Sequence, residues 1–194
     1  VVSRNHRATE VDKKFVEYAG SKNFYTVYRV HNLHFKIYGA MFLAQPTPAL
    51  LAAASLKETL PEHVVRKIPE LFEAFIPMNL HVLIRFGRWQ EILLEKFPED
   101  LELYSFTNAM LRYSRSIALA NLGELSAANI EKDLFLLAKD AVQEDRNVFN
   151  NSCADVLNVA EQMILGELEY KSGNTNKGLD HLKAAVQIDD ELLY

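Results

Sequence analysis

Apolar residues recur every three or four positions along most of this chain, the period at which side chains share one face of a helix. The pattern predicts helices over residues 11–19, 24–44, 49–60, 78–86, 89–97, 101–122, 124–143, 147–172 and 175–188, with short pieces at 64–67 and 70–75. The first part of 24–44 is rich in aromatic and β-branched residues (Tyr25, Val27, Tyr28, Val30) and also suits extended chain. From His31 onward the period is helical, with Leu33, Ile37, Ala40, Met41 and Ala44 on one stripe. Glycine and proline punctuate the pattern: Gly20-Ser21, Gln45-Pro46-Thr47-Pro48, Pro61, Pro69, Gly87, Pro98, Gly123 and Gly173. Pro77 fits the first turn of the helix that follows it, where its missing N–H is not needed. No convincing pair of strands emerges, so the predicted class is all-α.

The stretch from Ala160 to Asp190 is the most regular. Leu165-Gly166 puts a small residue where a partner helix approaches, and Gly173 supplies the positive φ that ends the first helix. Leu179, Leu182, Ala185, Val186 and Ile188 then provide an apolar face for the second. A helical hairpin cannot bury such a stripe alone, which predicts stacked neighbours. Gly87, Gly123 and Gly173 each lie between two apolar helices, and Ala44-Gln45 holds the equivalent place earlier. The expected organisation is one helical domain over 1–194. After an N-terminal helix and lead-in (1–24) come approximate units 25–61, 77–98, 101–143 and 147–190.

The local pattern resembles the tetratricopeptide repeat. Leu165-Gly166 looks like its Leu-Gly pair, Gly173 like its turn glycine, and Leu182 and Ala185 like its second-helix core. Ala49, Leu56 and Pro61 fit the second half of an earlier unit, and Ala128 fits a later one. The sequence departs from the pattern at Gly178, where Ala is usual, at Glu169, where Tyr is usual, and at Asp190, where Pro is usual. The phrases His31-Asn32-Leu33-His34-Phe35, His81 to Trp89, Tyr113-Ser114-Arg115 and Gly166-Glu167-Leu168 are similar to phrases of longer bacterial and fungal tetratricopeptide proteins without an established reaction. That resemblance implies a right-handed α-solenoid of stacked antiparallel hairpins. It also implies at least one repeat beyond Tyr194, the chain being a fragment or truncation.

Charge sharpens the picture slightly. Residues 1–36 carry seven basic against three acidic side chains (+4), and from Glu124 onward six basic face fourteen acidic (−8). A net charge of −5 without a Lys/Arg-rich stripe argues against nucleic acid as partner. No apolar run is long enough to span a bilayer. The single cysteine, Cys153, allows no internal disulfide, and a cytoplasmic location is expected.

Candidate chemistry is sparse. Neither a nucleophile elbow nor a phosphate-cradling glycine loop occurs, so no enzyme and no cofactor are predicted. The resemblance implies a concave groove lined by the first helix of each unit. His34 and Tyr38, His81 and Arg85, and Tyr113 and Asn121 would line it. Arg85 would offer a bidentate fork to a carboxylate or phosphate; the other reading is a structural pair with a nearby Glu. His31, His34 and His81 form a weak three-nitrogen metal alternative. The expected function is a non-catalytic scaffold that binds a protein or peptide in its groove. The alternatives are a pocket for a small anionic metabolite or metal, and an assembly subunit that associates through the apolar C-terminal end (Leu192, Leu193, Tyr194).

Overall fold

In the computed structural model, which describes residues 1–20 and 25–193, the four aligned turns share one backbone geometry. Ala44, Gly87, Gly123 and Gly173 all have positive φ, at 53°, 64°, 88° and 89°. In each turn that residue's N–H donates three residues back. The next N–H, from Gln45, Arg88, Glu124 or Asn174, donates five residues back to Ala40, Leu83, Leu119 or Glu169. This paired closure satisfies the last carbonyls of the helix and reverses the chain. Ala44 holds its left-handed conformation against its own Cβ, which costs roughly 1–2 kcal/mol. Replacing it relieves that cost but loosens the unfolded chain. Ala44→Gly is therefore expected to raise the unfolding free energy from urea denaturation by a net of about 0.5–1 kcal/mol; a lowered value would refute the strain.

The class is all-α, in two compact units, Val1–Lys67 and Ile68–Tyr194, where the sequence reads as one array. The first unit contains α1 (Val2–Ala19), α2 (Thr26–Phe42), α3 (Pro46–Thr59) and the short α4 (Glu62–Val65). Helix α1 starts nine residues before the sequence expectation. Its polar opening carries little apolar period, yet Val1 and Val2 lie against Gly39 of α2. Deeper in, buried Asp12 accepts hydrogen bonds from the Tyr25 hydroxyl (2.8 Å) and Asn32 Nδ2 (3.0 Å), tying α1 to α2. Helix α3 starts at Pro46, because prolines in a first turn withdraw only donors the helix does not use. Ser21 and Phe24, placed by the sequence at a helix stop and a helix start, lie outside the described residues, as does Tyr194.

The second unit runs through α5 (Pro69–Phe72), a 3₁₀ turn (Glu73–Phe75), α6 (Met78–Arg85), α7 (Trp89–Leu94), α8 (Ser105–Asn121), α9 (Leu125–Asp140), α10 (Cys153–Lys171) and α11 (Thr175–Asp190). Helix α8 packs on α9, α10 on α11, and α8 on α10. The core gathers Phe106, Met110, Ile117, Phe135, Leu157 and Ile164. Where the sequence predicts unbroken helix from residue 147, the structure has a short antiparallel pair, Asn147–Val148 with Asn151–Ser152. Ser152 then caps α10, its Oγ accepting the Asp155 N–H at 3.1 Å and donating to the Asp155 carboxylate.

Two buried charge clusters fasten this unit. Glu131 of α9 receives Arg112 (2.9 Å) and Arg115 (2.6 Å) from α8, with the Arg112 guanidinium 3.9 Å above the Phe97 ring. Fully buried Glu73 accepts the Thr107 N–H (3.0 Å) at the start of α8 and Arg146 Nε (2.9 Å). Burial pushes the Glu73 carboxyl up to about 7, against the N–H groups and guanidinium that favour its charge. Cys153 is buried beside this pair, and burial pushes its thiol up to about 12, which leaves it inert. Among the described residues no helix is long and apolar enough to cross a membrane.

Candidate functional site

Helix α2 is apolar on two faces. Val30, Leu33, Ile37 and Ala40 are buried, while Tyr28, His31, Phe35, Tyr38 and Phe42 occupy a second stripe that faces outward. Their spacing alternates three and four residues, the period of a seam between packed helices. A helix with apolar residues all round is ordinarily covered all round. Here Phe35 is 43% exposed and Phe42 75% exposed.

The rings form a ladder along the helix. His31 lies 4.5 Å from Phe35, His34 5.7 Å from Tyr38, and Tyr38 5.4 Å from Phe42, centroid to centroid. At the other end Phe15 of α1 lies 4.4 Å from Tyr25, and Tyr25 5.6 Å from Tyr28. The Asp12 carboxylate that holds Tyr25 also raises the pKa of its hydroxyl. The ladder thereby continues onto the outer face of α1. There Arg4, Arg7, Val11, Lys14 and Tyr18 are exposed at three- and four-residue steps, with exposed Phe15 beside Lys14. Arg4, Arg7 and Lys14 form no ion pair among the described residues. The first unit as a whole has ten basic and five acidic side chains, a charge of +5.

The sequence-predicted residues fall in several places. His34 and Tyr38 belong to this ladder in the first unit. In the second unit His81, half-buried on α6, has its imidazole pKa lowered by loss of solvent. Arg85, one turn on, is exposed at the end of α6. Tyr113 lines no groove: it is buried in the core with its ring 6.4 Å from Phe135. Burial pushes its hydroxyl up to about 12, assisted by the nearby Glu167 carboxylate. Asn121 turns Nδ2 to the Ile117 carbonyl (3.0 Å) and at longer range to Glu167 (3.5 Å). Among the described residues no group of three His, Cys, Asp or Glu side chains, the trio His31, His34 and His81 included, is placed to hold a metal ion. The concavity at Gly173, Asn174, Thr175, Asn176 and Lys177 is an open depression at a turn.

Sequence reasoning missed Phe35 and Phe42 as surface residues. Their signal was present: aromatics at positions 28, 35, 38 and 42, completed by His31, follow the three-four period. It was overshadowed by reading tyrosines and valines at 25–30 as a mark of extended chain. No family model, curated protein or solved structure matches the chain.

Proposed function

We propose that this protein is a non-catalytic interaction scaffold, with the aromatic face of α2 as a docking surface for a segment of another protein chain. The observation behind this reading is the ladder from Tyr28 to Phe42, exposed at seam spacing on a helix whose opposite face is already packed. Aromatic side chains bring large contact area with few rotatable bonds, so they make effective anchors at protein interfaces. The hairpins and their repeated turn geometry fit a tetratricopeptide-like scaffold, which presents rigid helices to a partner.

The test is selection of binders from a displayed library of helical and extended peptides, followed by titration. Phe35→Ala combined with Tyr38→Ala is expected to weaken selected peptides by roughly 2 kcal/mol or more, about thirtyfold. Both side chains are exposed, so the variant should keep its circular dichroism spectrum. Peptides that bind wild type and double variant equally would place docking elsewhere and end this reading.

A further inference from the structure

Helix α11 carries an exposed apolar stripe of its own. The sequence reads Leu179, Leu182, Ala185 and Val186 as one face, but the structure divides them. Gly178, Leu182 and Ala185 lie toward α10, while Leu179 and Val186 are exposed. Leu193, three residues past the end of α11, is exposed too. Asn151 fixes its backbone, donating to the Leu193 carbonyl (2.9 Å) and accepting its N–H (2.7 Å). Exposed Asp180, Asp189, Asp190 and Glu191 flank the stripe, and exposed Lys183 lies between Leu179 and Val186, 3.9 Å from the Asp180 carboxylate. The second unit as a whole has eleven basic and twenty-one acidic side chains, a charge of −10.

We propose that the basic, aromatic face of α1 and α2 is the seat for the acidic, apolar outer face of α11 from a second copy of this chain, joining copies head to tail. The inference rests on the reading of α2 as a protein-docking face and names its occupant. Two features select that occupant. The three-four spacing on α2 is what a helix requires of its partner, and α11 is a helix with Leu179 and Val186 at seven-residue spacing. The charges are opposite on balance: Arg4, Arg7 and Lys14, without an ion pair among the described residues, border one face, and four carboxylates outnumber Lys183 on the other. A two-fold pairing of α2 with α2 would instead set +5 against +5. Contacts between two different faces do not close on themselves, so copies add in a chain or a ring.

Sedimentation velocity of the full chain over a wide concentration range tests this. The sedimentation coefficient is expected to rise with concentration, and added salt should weaken the rise by screening the opposed charges. Phe35→Asp with Phe42→Asp removes the seat; Val186→Lys with Asp190→Lys removes the insert. Each variant alone should sediment as a monomer, and an equal mixture should stop at a dimer, because each species keeps the face the other lacks. Arg4→Glu with Arg7→Glu, on exposed positions of α1, is a second seat variant and should lose association without touching the aromatic rings. A wild type monomeric at every concentration, variants that still associate, or a mixture that stays monomeric would each overturn the proposal. Peptides selected on the aromatic face that still bind monomeric wild type would leave the docking reading standing while this one falls; loss of both would end both.

Discussion

Arg146→Ala is expected to destabilise the second unit by about 3–5 kcal/mol at pH 8, measured by urea denaturation. The Glu73 carboxylate is wholly buried, and Arg146 is the one cation bonded to it among the described residues. Arg146 also reaches Asp145 (2.8 Å) and, at longer range, the Glu102 carbonyl (3.5 Å). Its removal therefore frees contacts from the 3₁₀ turn to the 140s loop. The charge component shows in the pH dependence. Glu73 has a folded pKa of about 7 against an ordinary 4.5, so between these values the folded state holds a proton that the unfolded chain has released. Stability consequently falls as pH rises from 4.5 to 7, by about 3 kcal/mol at 1.36 kcal/mol per unit. Without Arg146 the carboxyl titrates higher still, and the fall extends above pH 7. The gap between wild type and variant should thus be much smaller at pH 5, where Glu73 is neutral in both, than at pH 8. Glu73→Gln should flatten the wild-type slope. A gap equal at both pH values would assign the loss to packing alone.

That pair also marks where reading the sequence stops. Glu73 and Arg146 are seventy-three positions apart, and neither sits in a pattern that distinguishes a buried charge from a surface one. Local signals fared better. The positive φ at Gly173 was legible because only glycine adopts it cheaply, and the turns at Ala44, Gly87 and Gly123 were found through the helices around them. Helix ends set by tertiary contact were missed: α1 is extended by side chains that meet α2, and its residues 2–10 show no apolar stripe. The prolines of α3 likewise hid a helix start, being read as a break although their ring geometry suits a first turn. For the candidate site, the place of His34 and Tyr38 on α2 was legible because they lie on the periodic stretch from His31. Tyr113 was not, since a groove and a core are both lined at helical spacing and only burial separates them.

The close crossing of α10 and α11 gives the other large expected effect. Exchanging a helical glycine for alanine ordinarily stabilises by about 0.5–1 kcal/mol, because glycine has more freedom to lose. Gly178 should reverse that sign. A Cβ there would lie 2.8 Å from the Tyr170 amide nitrogen and 2.9 Å from the Gly166 carbonyl oxygen, both backbone atoms that yield only if the helices separate. Gly166 is tight for a different reason, since its Cβ would meet the Leu182 side chain at 2.7 Å, which rotation relieves in part. Overpacking of this kind costs about 1–3 kcal/mol, so Gly178→Ala is expected to lose about 2 kcal/mol and Gly178→Val more, with Gly166→Ala between Gly178→Ala and wild type. Because α11 is held chiefly by α10, Gly178→Val should also detach the outer stripe of Leu179 and Val186 from its fixed orientation. Hydrogen exchange in α11 should then rise selectively, while amides of α8 and α9 keep their protection. Uniform exchange across all four helices would mean that the hairpin does not open on its own and that the crossing holds the whole unit.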